Sequence, residues 1–216
     1  MSRNKHELIQ KLSLLLNEDR KTTRIIFKTL SLGKRKVSFK DIYSLALPSN
    51  TQKKKNLIKD AILAMCWWRI LLPKNSFPHN SCYKSEVDEV YEIPACINYA
   101  FKNFYVHGTW DYKFAVFKYF EEIGEPHKNL IPKIVEDILR EAYGKSFISL
   151  SAIRKACKKN GYPEDKISTL ISELRNGGFI NPFSTVARKN LKRRESMAEE
   201  EPVYELNKAL FINYKR

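Results

Sequence analysis

The sequence predicts a mostly α chain with small β elements, an α+β fold built twice over, and three observations carry that expectation. First, the chain repeats itself. Residues 33–42 read GKRKVSFKDI and residues 144–153 read GKSFISLSAI, so Gly33, Lys34, Val37, Ser38, Phe39 and Ile42 align with Gly144, Lys145, Ile148, Ser149, Leu150 and Ile153. Two further echoes follow in the same order: RILLP at 69–73 with GFINP at 178–182, and VYEI at 90–93 with VYEL at 203–206. Second, apolar residues recur every three to four positions through long stretches, the period of an amphipathic helix. Third, each copy ends in two short β-branched or aromatic runs that enclose a polar stretch, the pattern of a small hairpin.

The elements can be taken in order. HELIQKLSLLL places Leu8, Ile9, Leu12, Leu15 and Leu16 on one helical face, expected to pack on its own domain or, alternatively, to form a homodimer seam. TTRIIFKTLSLG is a helix that ends at Gly33, a C-cap residue. KVSF is a short strand, and FKDIYSLAL is a second helix stopped at Pro48. A third helix starts near Thr51, with Leu57, Ile58, Ala61, Ile62, Met65 and Trp68 on its inner stripe. RILLP and EVYEIP then form two strands around a polar loop at 74–86. FYVHGTW at 104–110 reads as a boundary loop whose aromatics argue against a loose tether. DYKFAVFKYFEEIGEP is a linker helix expected to bury Phe114, Phe117, Phe120 and Ile123. Copy two repeats the pattern: a helix closing at Gly144, the strand SFISL, a helix ending at Gly161, a helix opening at Pro163 with Ile167, Leu170, Ile171 and Leu174 inward, and the strands FINPF and PVYEL.

Helix, strand, helix, helix, strand, loop, strand resembles the order of the winged helix, a helix-turn-helix variant. The resemblance is one of pattern and covers roughly residues 20–104 and 128–212. It implies two tandem winged-helix domains at 21–104 and 128–216, each with a small β-wing, plus an N-terminal amphipathic helix in 1–20 and a linker helix in 105–127. Proteins of this superfamily include transcription regulators, plasmid replication initiators, polymerase subunits and chromosome-associated factors, and also modules that bind only other proteins.

Charge points to a polyanion. Lys and Arg number 39 against 24 Asp and Glu, for a net charge of +15 and a pI near 9.6. Both halves share the excess, with 18 basic and 9 acidic residues in 1–100 and 21 and 15 in 101–216. Nucleic acid is the expected partner, ahead of a membrane surface. The longest apolar runs, such as AILAMCWW, are too short to cross a bilayer. An intracellular protein, cytoplasmic or nucleoid-associated and nuclear in a eukaryote, is expected. Cys66, Cys82, Cys96 and Cys157 follow no disulfide framework and are expected to be reduced thiols. His79 and Cys82 have metal-ligand spacing but lack two further evident ligands, so no metal and no cofactor is expected.

In the winged-helix resemblance the third helix enters the major groove and the wing tracks the backbone. In copy one the outward set on that helix is Gln52, Lys53, Lys55, Asn56 and Lys59. Gln and Asn side chains match adenine, and Lys reaches guanine or phosphate. Residues 20–40 hold eight basic residues and no acidic one, among them Lys34, Arg35 and Lys36 at the helix-to-strand turn. The three lysines at 53–55 oppose the helix dipole, which favours a functional reading over a solubilising one. In copy two, Glu164 and Asp165 open the third helix and should repel DNA. Its loop instead carries Arg188, Lys189, Lys192, Arg193 and Arg194, suited to phosphate tracking or minor-groove insertion. The return strand of wing one is acidic, with Glu86, Asp88 and Glu89, so a division of labour between the two copies is expected.

Enzymatic sites look poor. No glycine-rich phosphate loop is evident, and His6, His79, His107 and His127 assemble no nucleophilic set. The carboxylates of SEVDEVYE read better as an exposed strand face than as a nuclease metal site. A double-stranded DNA-binding protein, a transcriptional regulator or a replication or partition factor, is therefore expected. The alternative is a winged-helix protein–protein interaction module that uses its three Trp, 12 Phe and 11 Tyr at an interface.

Overall fold

Helix capping and apolar spacing set the elements of the computed structural model, which describes residues 4–46, 51–73, 90–142, 146–182 and 201–214. The described chain is mostly helical with two small antiparallel sheets, an α+β arrangement. Helix α1 (Lys5–Leu16) is capped by the Asn4 side chain. In α2 (Arg20–Leu30) the Asp19 carboxylate accepts the backbone N–H groups of Lys21 and Thr22 at 2.8 and 3.2 Å, satisfying two donors that the first helical turn leaves open. Strand β1 (Lys36–Ser38), α3 (Phe39–Ser44), α4 (Thr51–Trp67), β2 (Leu72–Pro73), β3 (Val90–Glu92) and α5 (Ala95–His107) follow. After α6 (Tyr112–Glu122) come α7 (Ile131–Glu141), β4 (Phe147–Ser149), α8 (Leu150–Lys159), a 3₁₀ turn (Glu164–Lys166), α9 (Ile167–Asn176), β5 (Ile180–Pro182) and β6 (Val203–Leu206).

The internal repeat extends to strand order and register. One sheet runs β1-β3-β2 and the other β4-β6-β5, both antiparallel. Val37 faces Tyr91 and Ile148 faces Tyr204; Pro73 faces Tyr91 and Pro182 faces Tyr204. The VYE triplet common to both copies thus forms the central strand each time.

The chain divides into two compact units, residues 1–115 with 208–213 and residues 116–207 with 214–216. In unit 1, Leu8, Ile9, Leu12 and Leu16 of α1 are buried, and α1 packs on α2, which packs on α4. Leu15 is only half-buried. The apolar face of α1 is therefore filled inside its own unit and is not available as the homodimer seam that was the alternative. The inner stripe of α4 is Ile58, Ala61, Ile62, Met65 and Cys66, with Leu57 half-buried at its margin. Trp68 lies just beyond the helix, where its indole N–H donates to Glu18 at 3.0 Å. In unit 2, α7 packs on α8, and the core is built from Ile134, Ile138, Ile153, Leu170, Leu174 and Phe179.

Several expectations change. The stretch 104–110 is not a loop: α5 continues to His107 and is capped by Gly108 at φ 69°, because Ala100, Phe101 and Phe104 extend its buried face. The stretch 105–127 is not a separate linker, since the division into units falls inside α6, between Ala115 and Val116. In α6 the buried residues are Ala115, Val116, Tyr119 and Phe120; Phe114 and Phe117 are half-buried and Ile123 is exposed. Pro163 opens the 3₁₀ turn, not α9 itself. Helix α2 stops at Leu30, three residues before Gly33, which follows at φ 65°.

Residues 208–213, beyond the last strand, complete unit 1. The Ala209 N–H donates to the Trp68 carbonyl at 2.9 Å, the Trp110 indole N–H donates to the Ala209 carbonyl at 2.9 Å, and the Asn213 amide donates to the Trp110 carbonyl at 3.1 Å. Tyr112 and Phe211 meet edge to face, and Leu210 is 1% exposed. Among the described residues no helix is long and apolar enough to cross a membrane. Cys66, Cys96 and Cys157 are buried free thiols, and burial pushes Cys157 up to about 11 and Cys96 higher still. Cys82, His79, the loop 74–89, Gly144 and Lys145 lie outside the described residues.

Two outcomes test this packing. Leu210→Ala is expected to lower stability by about 2–5 kcal/mol in urea unfolding, as truncation of a buried core leucine does. At Gly177 an added methyl would lie 2.5 Å from the Phe179 ring and 3.0 Å from the Tyr119 ring. Gly177→Ala should therefore cost about 1–3 kcal/mol by overpacking, although alanine is the better helix former.

Candidate nucleic-acid interface

Unit 1 positions its basic residues on the outer face of α4 and on the turn into β1. At 100° per residue, Ile58, Ala61, Ile62 and Met65 point inward and Gln52, Asn56, Lys59, Asp60, Leu63 and Trp67 share the opposite arc, flanked by Lys53 and Lys55. Gln52, Lys53, Lys55, Asn56 and Lys59 lie outside the inner stripe, and Gln52, Lys53, Asn56 and Lys59 are exposed with Lys55 beside them. The Gln52 amide donates to the Asn56 carbonyl oxygen at 3.0 Å, one turn apart, which steadies both side chains. Lys53, Lys55 and Lys59 enter no ion pair among the described residues, so their charge is not neutralised within them.

Lys54, in the middle of the same basic run, behaves differently. Its ammonium lies 4.4 Å from the centre of the Tyr43 ring, and that ring stacks on Phe39 at 6.0 Å. Lys28 likewise turns inward and donates to the Leu45 carbonyl at 2.7 Å, closing the end of α3. These two cations hold α3 to its neighbours; they do not add to the outer charge.

At the turn into β1, Lys34, Arg35 and Lys36 are exposed. Lys34 pairs with Asp41 at 3.3 Å and Arg35 with Glu92 at 3.1 Å, while Lys36 stands opposite Glu92 in the sheet. Exposed pairs of this kind are worth little and are readily exchanged for a phosphate. Asp41 has a second task. Its carboxylate accepts the Ser38 N–H and hydroxyl, both at 2.8 Å, while the Ser38 oxygen accepts the Asp41 N–H at 3.1 Å, a capping box that opens α3. The bonds from Ser38, backbone first, hold the Asp41 carboxyl below its ordinary value of 3.8.

In unit 2 the expected repulsion by Glu164 and Asp165 is softened. Both lie on the 3₁₀ turn and not on α9, and Glu164 pairs with Lys158 at 2.6 Å, which lowers its pKa. The outer face of α9 carries Ser168, Thr169, Ser172, Arg175 and Asn176. The carboxylate nearest them, Glu173, accepts the Tyr119 hydroxyl at 3.0 Å. Arg188, Lys189, Lys192, Arg193 and Arg194 lie outside the described residues. Sequence reasoning passed over the α8 cations: Arg154 and Lys155 are exposed without an ion pair among the described residues, whereas Lys159 is held by Asp137 at 3.0 Å. The signal was available in the RKACKK run.

With this geometry in hand, comparison with known proteins adds one point. A family model matches residues 8–216. The chain belongs to that family. The match runs through both units, so the two occur together in the family's architecture. No curated protein and no solved structure matches the chain.

The Asp41 cap gives a pH test. A carboxyl depressed in the folded state contributes stability above its unfolded pKa and loses it as pH falls through the folded one. Asp41→Asn is expected to cost about 1 kcal/mol at pH 7 in chemical unfolding, near the size of a lost cap. The difference between the two proteins should shrink below about pH 4.

Proposed function

We propose that each unit is a winged helix and that the protein binds double-stranded DNA as a transcriptional regulator or as a replication or partition factor. In unit 1, α4 is the reading helix: Gln52 and Asn56 face base edges, Lys53, Lys55 and Lys59 face bases or phosphates, and Lys34, Arg35 and Lys36 face the backbone. In unit 2 the basic residues 188–194 track phosphate. The reading assigns the protein a binding role without catalysis, acting inside the cell on nucleic acid. One observation supports it most: three lysines on the outer side of α4 lie beside a hydrogen-bonded Gln52–Asn56 pair and enter no ion pair among the described residues. Cations left without counter-charges at the N-terminal end of a helix, where the dipole opposes them, are accounted for by an external anion.

A second reading has its own observation. Trp67 is 54% exposed, with the Lys208 ammonium 4.1 Å from its ring centre, and Leu14 is 78% exposed. Exposed large apolar side chains are what a protein–protein interaction module presents.

Lys53→Glu with Lys55→Glu separates the two. On the DNA reading, wild-type affinity falls steeply with salt, by roughly 10³–10⁵ between 50 and 200 mM if six to ten phosphates are met. The double reversal then flattens the salt slope by about 0.9 for each phosphate no longer neutralised and weakens binding, with the melting temperature unchanged. Unaltered retention on DNA would leave the interaction module as the better account.

A further inference from the structure

Both units place a carboxylate at the start of the helix that follows the first strand, but they draw it from different places. In unit 1 it is Asp41, inside α3 and fixed by three hydrogen bonds with Ser38. The equivalent position in unit 2 is Ala152, whose N–H donates to the Ser149 hydroxyl at 3.2 Å and which has no carboxylate to return. The start of α8 instead receives Glu201, fifty residues further along, whose carboxylate accepts the backbone N–H of Ser151. Beside it the Leu150 N–H donates to the Pro202 carbonyl at 2.9 Å, and the Ser149 and Ser151 hydroxyls lie 3.0 Å apart.

A second observation marks the same end of α8 as a place for an external anion. Of the four cations on this helix, Lys158 and Lys159 are taken by Glu164 and Asp137. Arg154 and Lys155, three and four residues beyond Ser151 and so on its side of the helix, are exposed with no ion pair among the described residues. Backbone N–H groups, two hydroxyls and two such cations form a donor set that suits phosphate oxygens. The group now within it is a carboxylate seven residues beyond Arg194, the last residue of the basic run.

We propose that the start of α8 is a phosphodiester-binding point in unit 2 and that Glu201 is its internal competitor, displaced when nucleic acid arrives. The proposal rests on the DNA-binding reading for its ligand. Unit 1 has no such exchange, because Asp41 belongs to the helix it caps and cannot leave without opening the capping box. In unit 2 the carboxylate is carried on the approach to β6, so it can part from Ser151 while α8 keeps its Ser149 cap. An internal ligand lowers the apparent affinity for an external one by the factor with which it fills the site. A carboxylate at a helix N-terminus gives a factor of about five to ten.

Glu201→Gln is the test, since it keeps an acceptor oxygen for Ser151 and removes only the charge. Binding of a labelled DNA duplex at fixed salt should tighten about five- to tenfold. Adding Arg154→Ala and Lys155→Ala to that variant should abolish the gain. An affinity unchanged or weakened by Glu201→Gln, or a gain that survives without the two cations, overturns the proposal. If the wild-type protein shows no salt-dependent retention on DNA, it is the DNA-binding reading that fails. Inorganic phosphate then decides the site alone: at matched ionic strength it should raise the melting temperature of Glu201→Gln more than that of the wild type, and equal shifts overturn the proposal.

Discussion

The central strand of each sheet is the constraint on which the rest depends. β3 and β6 are the last strands of their units, yet each lies between the two earlier ones and hydrogen-bonds to both. Val37 and Pro73 meet across Tyr91, and Ile148 and Pro182 meet across Tyr204. The two partner strands carry few ladder bonds of their own, and until the late strand arrives nothing fixes the direction of the helices between them. Such long-range closure must meet the entropy of a long loop before its contacts reward it. The buried Tyr91 and Tyr204 side chains help to offset that cost by adding apolar area to both cores.

Once the sheet of unit 1 has closed, charge is sorted by depth. Lys28 and Lys54 reach inward, one to a carbonyl and one to an aromatic ring, and strengthen the packing of α3. Lys53, Lys55 and Lys59 are left on the outer side of α4. The same basic run thus serves the fold and the interface, and a difference of 100° in helical phase decides which residue does which. The carboxylates follow a parallel rule. Asp19 and Asp41 are engaged at helix starts, where the dipole favours them, and their removal from the general surface leaves the cations of residues 20–40 less opposed.

Aromatic residues provide much of the remaining order. In unit 1, Trp110 is held between the Phe104 ring and the Ala209 carbonyl, so the end of the chain becomes part of the core. In unit 2, Tyr119, Phe120 and Phe179 form a three-ring cluster, and Gly177 is needed because that cluster leaves no room for a Cβ.

What the sequence determined by itself is the set of elements and their order. Periodicity placed the stripes of α1, α4, α7 and α9, serines at equivalent positions placed the starts of α3 and α8, and the repeated VYE placed the central strands. The outward lysines of α4 were also legible, since the apolar stripe dictates what lies opposite it. Tertiary structure decided what periodicity cannot express. Helix α5 hid behind aromatics that read as a loop, because Phe104 and Trp110 are apolar for partners far away in the chain. The roles of Lys54, Glu164 and Glu201 were set by neighbours 11, 6 and 50 positions distant, at Tyr43, Lys158 and Ser151. A side chain's charge is written in the sequence, but whether that charge is left for a ligand depends on which groups folding brings within hydrogen-bond reach.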